Sequence, residues 1–102
     1  MLNKKIQDAL NKQVNAEFYS AYLYLSMTAY FESINLVGFA HWMRSQTKEE
    51  VMHAMKIYDF INDRGGRVTL TPLQGPPSEW ASPLAAFEDA CKHEQIVDTP
   101  QA

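Results

Sequence analysis

Asn15-Ala16-Glu17-Phe18-Tyr19-Ser20-Ala21-Tyr22-Leu23-Tyr24 decides the fold class, because it sets one carboxylate inside an apolar run. Around it, apolar or small residues recur at Leu10, Val14, Ala21, Tyr24, Thr28 and Phe31, with Glu17 in the same series of three- and four-residue steps. That step is the helix period. Neither glycine nor proline interrupts residues 2–34, so the spacing predicts one long helix over about 2–34. Its charge-free part, Phe18 to Phe31, is 14 residues long. A membrane span needs about 20 predominantly apolar residues, so this is a buried helix, and no membrane is expected.

Outward from that helix, Ser33-Ile34-Asn35-Leu36-Val37-Gly38 breaks the pattern, with Asn35 as the expected N-cap of a second helix. The second helix is expected over 37–64, with a stripe of Phe39, Met43, Gln46, Glu50, His53, Ile57 and Phe60, and Gly65-Gly66 closing it. Thr71-Pro72 and Gly75-Pro76-Pro77 forbid a long helix in the crossover, residues 65–82. The apolar Val68, Leu70, Leu73 and Trp80 suggest that this crossover lies against the hairpin. Ser82-Pro83 is a helix start, serine at the cap and proline at the first position. A short third helix follows over 83–97, then a tail, 98–102. The expected fold class is all-α: an antiparallel hairpin of two long helices plus a short third, one partial bundle over 1–97.

Twelve acidic against nine basic residues give a net charge of -3. No Lys/Arg stripe exists to follow a phosphate backbone, so nucleic acid is not an expected partner. The single cysteine, Cys91, can form no internal disulfide and no multi-cysteine metal site. The start, Met1-Leu2-Asn3-Lys4-Lys5, lacks the apolar run of a secretory signal. A cytoplasmic location is expected.

Three polar side chains on apolar stripes need a reason: Glu17 on the first helix, Glu50 and His53 on the second. A buried carboxylate is costly unless paired or bound to a metal. Glu17 lies about 17 residues before the break at Ile34, and the Glu50/His53 pair about 17 after it, so at about 1.5 Å rise per residue they meet at one level of a hairpin. One glutamate facing a Glu-x-x-His is half the ligand set of a carboxylate-bridged di-iron bundle. Carboxylate and imidazole donors suit iron, manganese or zinc. A lone Glu-x-x-His arises often by chance; Glu17 reaching solvent and His53 as an ordinary core histidine form the alternative. The coincidence of stripe and level sets the metal reading on an equal footing with that alternative.

Three motifs, in order, resemble the bacterial non-haem ferritins: Asn15 to Tyr24, Lys48-Glu49-Glu50-Val51-Met52-His53-Ala54, and Lys92-His93-Glu94-Gln95. The resemblance runs from the start to about Val97. It implies that Glu17, Glu50 and His53 hold a first ferroxidase iron with Glu50 bridging, that Glu94 serves a second, and that Glu49 matches a ligand of an accessory third site. Tyr24 matches the tyrosine beside the centre. The implied activity is Fe(II) oxidation by dioxygen or peroxide at a di-iron site, feeding ferric storage in a hollow homo-oligomeric shell, with no haem expected.

A ferritin continues its third helix and adds a fourth, and neither is expected here. Two hairpins related by a two-fold axis would complete a four-helix bundle and supply the ligand trio twice. The second reading is non-enzymatic: a helical assembly, or a remnant of a longer ferritin with no complete ferroxidase centre. A third keeps the site and changes the reaction to peroxide reduction with an external electron donor. Elsewhere, His41 is expected at the surface, and His93 turned away from the neighbours of Glu94. Cys91 is expected in packing, Met27, Met43, Met52 and Met55 as core filler, and Trp42 and Trp80 as packing anchors.

Overall fold

The computed structural model describes residues 2–98. It contains three helices, α1 (Lys4–Ser33), α2 (Val37–Asp63) and α3 (Pro83–Asp98), and no strand among the described residues. From Thr99 on, the expected tail lies outside them.

Asn3 caps α1, its side-chain oxygen accepting from the Ile6 N–H at 2.9 Å. The link to α2 differs from expectation. Asn35 takes a left-handed φ of 61°, and the Leu36 N–H bonds back to the Phe31 carbonyl at 2.9 Å. Asparagine tolerates that conformation, so Asn35 ends the first helix. Leu36 occupies the N-cap of α2 with no side-chain cap bond. Gly65, at φ 74°, closes α2, and the Gly66 N–H reaches the Ile61 carbonyl at 2.9 Å. Ser82 caps α3, accepting from the Ala85 N–H at 3.1 Å.

α1 and α2 pack antiparallel along a molecule of 49 × 22 × 20 Å. The seam is made by Val14, Ala21, Tyr24, Met27 and Phe31 of α1 with Ala40, Met43, Ala54 and Ile61 of α2. Met43 and Glu50 of the expected stripe are buried there, while Ala40, Ala54 and Ile61 take the places expected for Phe39, His53 and Phe60. Phe39 and Phe60, placed in that stripe, are 44% and 41% exposed. The helix carries two apolar faces, and only one has a full partner.

The crossover also departs from expectation. Leu70 is 61% exposed, and what ties this segment down is polar. Gln7, Asn11 and Asn15 stand one helical turn apart on α1. Gln7 Oε1 accepts from the Arg67 N–H (2.9 Å), Asn11 Oδ1 from the Thr69 N–H (2.8 Å) and Asn15 Oδ1 from the Thr71 N–H (2.9 Å). The Asn11 and Asn15 amide groups donate to the Arg67 and Thr69 carbonyls at 2.9 and 3.0 Å. Further along, Ser26 Oγ donates to the Pro77 carbonyl at 2.6 Å, and Trp80 packs on Tyr30 at 5.5 Å. The crossover thus climbs α1, and α3 descends antiparallel to it, Phe87 beside Phe31 (5.3 Å) and His93 beside Ser20. This descent brings Glu94 to the level of Glu17 and Glu50.

Candidate metal centre

Glu17 and Glu50 meet across the α1–α2 seam and are 5% and 2% exposed. His53, one turn after Glu50, sets its Nδ1 3.9 Å from Glu17 Oε2 and 3.8 Å from Glu50 Oε2. Those two oxygens are buried and have no hydrogen-bond partner. The other oxygen of Glu17 is satisfied, accepting from Gln13 Nε2 at 2.9 Å. The three candidate donor atoms lie within 4.8 Å of one another.

Burial pushes the Glu50 carboxyl up to about 10, helped by the neighbouring carboxyl groups of Glu17 and Glu94. Without a cation, Glu50 keeps its proton; with both carboxylates ionised, two buried oxygens would face each other unpaired. A divalent cation relieves both costs. Bond lengths of about 2.0–2.2 Å to nitrogen and oxygen require donors slightly closer than these, and the imidazole of His53 is exposed enough to move in. The donor set fits a hard or borderline divalent metal.

α3 contributes the fourth side chain. Glu94 contacts Glu50, and the Tyr24 hydroxyl donates to Glu94 Oε1 at 2.6 Å. The structure thus brings together Glu17, Glu50, His53, Glu94 and Tyr24. Glu49 and His41 are exposed on α2. Three expectations are corrected. Cys91 is exposed, because an open pocket separates it from Trp42, Met43 and Gln46 of α2. Met52 and Met55 are 58% and 39% exposed, whereas Met27 and Met43 are fully buried. His93 faces α1, 2.7 Å from Ser20 Oγ and edge-on to Tyr24. α3 sits so squarely on α1 that the adjacent positions 93 and 94 straddle it and both make contact. Sequence reasoning missed Ser20 altogether. It also missed Gln13, for which the four-residue spacing to Glu17 was the available signal.

A two-helix hairpin with Glu facing Glu-x-x-His, and a third helix adding a carboxylate, defines a ferritin-like helical chain with a candidate metal site. The match to the ferritin-like domain covers residues 7–99, and the chain belongs to that family. A bacterial non-heme ferritin of Staphylococcus saprophyticus is 46% identical over 97 residues, 95% of this chain and 58% of that protein. That of Bacteroides fragilis is 43% identical over 97 residues, 95% of this chain and 61% of the relative. An open-pore ferritin from Archaeoglobus fulgidus superposes with a TM-score of 0.92 at 60% identity, covering 95% of this chain and 60% of the other. A closed form engineered from the same organism's ferritin gives 0.93 at 60% identity, covering 95% and 59%. These neighbours are four-helix bundles. The chain spans about 60% of the length of the relatives it matches.

Proposed function

We propose that this chain binds Fe(II) through Glu17, Glu50 and His53, takes a second Fe(II) beside Glu94, and oxidises the pair in a ferroxidase step that feeds ferric iron storage. The observation that carries the reading is the pair of buried, unpartnered oxygens, Glu17 Oε2 and Glu50 Oε2, facing one imidazole nitrogen. Iron is the substrate here, and the residues' work is to hold it.

Glu50 lies between Glu17 and Glu94, as a bridging carboxylate must. It gives up its proton when the ions enter, so binding releases acid. His53 offers Nδ1 as a neutral lone pair. Tyr24 steadies Glu94 by its hydrogen bond and stands beside the pair. Each Fe(II) gives one electron: two Fe(II), one dioxygen and two protons yield two Fe(III) and one hydrogen peroxide. With peroxide as oxidant, two Fe(II), one hydrogen peroxide and two protons yield two Fe(III) and two waters. Glu49, matching an accessory ligand by resemblance and exposed on α2, would take a third ion. A cytoplasmic setting fits the exposed free thiol of Cys91.

The working unit is proposed as a homo-oligomer. α3 covers the α1 side of the site face with Glu94, and the α2 side of that face stays open, with Trp42 and His53 exposed on it. A second copy docks along this open flank of α2. That same flank, with Phe39, Trp42 and Met52 exposed, favours the second reading, a helical assembly without catalysis. Stopped-flow oxidation of anaerobically loaded Fe(II) separates the two. The wild-type chain is expected to oxidise iron well above the buffer rate, and Glu50→Ala to lose at least about ten-fold, the scale of a lost ligand. Equal rates for wild type, Glu50→Ala and buffer would leave only the assembly.

A further inference from the structure

We propose that His93 is a positioning residue: its hydrogen bond to Ser20 fixes the rotation and level of α3, and so the approach of Glu94 to Glu50. The inference deepens the ferroxidase reading and rests on it for what Glu94 does with a metal.

Ser20 is fully buried on α1. Its hydroxyl lies 3.0 Å from the Ala16 carbonyl and 2.7 Å from His93 Nε2. The backbone carbonyl takes the hydroxyl proton, which leaves an oxygen lone pair facing the ring. His93 thus carries a proton on Nε2 and donates it. The ring is held between two tyrosines, Tyr19 at 5.7 Å and Tyr24 at 6.1 Å with planes 84° apart. Tyr24 is also the residue that donates to Glu94. Ring slot, buried acceptor and the glutamate's own partner form one unit on α1.

The first half of α3 holds its level less sharply, through one Trp80–Asp89 bond of 3.0 Å and apolar packing. That half packs through Ala86, Ala90 and Phe87 against apolar surface, and apolar burial is non-directional. Beyond Ala90, Cys91 and Lys92 are exposed. Among the described residues, the side-chain bonds that join α3 to α1 at this level include Ser20–His93 and Tyr24–Glu94, with the Tyr24 hydroxyl also 3.5 Å from the Ala90 carbonyl. Glu94 makes a poor anchor for itself, because its carboxyl is the group that a metal would engage. His93 is the next residue, about 100° round the helix, so holding one fixes the other. A slack of about 20° in α3 would sweep a group about 6 Å from the axis through about 2 Å. Functional geometry tolerates only about 0.5 Å.

The test uses the whole 102-residue chain with the variants His93→Ala, His93→Gln, Ser20→Ala and Glu94→Ala. In metal-free protein, nuclear Overhauser contacts between the Tyr24 ring and the Glu94 side chain report where α3 sits. His93→Ala and Ser20→Ala are expected to lose them at unchanged helix content. His93→Gln, whose amide can still reach Ser20, restores them. Zn(II) calorimetry then separates the two ions: in His93→Ala the second binds more than ten-fold weaker, the first is unchanged, and His93→Gln recovers the second. Overhauser contacts and second-ion affinity that survive His93→Ala overturn the proposal. Should that variant unfold α3, Ser20→Ala, which keeps the ring in its slot, decides by the same readouts. The ferroxidase reading fails separately, if Glu94→Ala binds two ions as tightly as wild type; the Overhauser contacts then still decide the role of His93.

Discussion

At the residue scale, Glu50 ties the stability of the metal-free chain to pH. Its ordinary value of 4.5 is raised to about 10 in the folded state, by burial first and then by Glu17 and Glu94. Between those values the folded chain holds a proton that the unfolded chain has released. Stability therefore falls as pH rises through this window. This contribution is fully present below about 4.5 and gone above about 10. In the presence of a chelator, the Tm of the wild type is expected to fall between about pH 6 and about pH 9 relative to Glu50→Gln, which has no proton to lose. At about pH 8 the variant should be more stable by about 1–3 kcal/mol, the cost of an uncompensated buried polar group. Parallel Tm profiles in scanning calorimetry would refute this. Glu17, Glu50 and His53 were legible in the sequence because each is a polar residue in an apolar series, and a hairpin brings equal distances from its turn together. Ser20 and His93 were not. They are 73 positions apart, Ser20 looks like any small helix residue, and nothing local reveals which way α3 turns.

At the element scale, the crossover shows a helix acting as the partner of an extended chain. Four helical residues rise about 6 Å, and two extended residues advance about 6.6 Å. Gln7, Asn11 and Asn15 therefore keep step with Arg67, Thr69 and Thr71, and their side-chain amides do what a neighbouring strand would do. Gly66 begins this alignment: an added Cβ would lie 2.9 Å from Gln7 Oε1 and 3.0 Å from an Ile61 methyl. Asn11→Leu keeps the shape and removes two bonds of the ladder, to Arg67 and Thr69. It is expected to cost about 1–3 kcal/mol in urea unfolding, as two bonds at about 0.5–1.5 kcal/mol each imply, and to speed hydrogen exchange at the Thr69 amide. Unchanged exchange there would show the ladder to be ornamental. The apolar residues of this segment suggested docking on the hairpin, and docking occurs, but through the amide stripe. A four-residue repeat of Gln and Asn was the signal. Helix periodicity alone gave it no meaning, since such a stripe on a long helix is usually solvated.

At the scale of the whole molecule, the unfinished face of α2 becomes the governing fact. The accessible surface is 6910 Å², against about 5,900 Å² for a folded chain of this length. The radius of gyration is 15.1 Å, against about 12.8 Å. The surplus of about 1,000 Å² is close to the roughly 800 Å² that each partner buries in a standard interface. Much of what is apolar in it lies on α2 and the adjoining end of α3: Phe39, Trp42, Met52 and Phe60, with Phe87 alongside. A second copy offers the same strip, and strips on a two-fold axis match themselves. Trp42 is the residue to change. It is 47% exposed, rests on Phe87 at 5.6 Å, and lines one pocket with Tyr24 and Glu94. Trp42→Glu puts a charge at the centre of the strip and leaves the α1–α2 seam intact. Sedimentation of the wild-type chain is expected to show a dimer or larger even-numbered species. The variant should dissociate at least about thirty-fold more readily, a loss of about 2 kcal/mol typical of a central aromatic anchor, with unchanged helical circular dichroism. A wild type that stays monomeric at high concentration, with its strip exposed, would mean that the flank of α2 is not where copies of this chain meet.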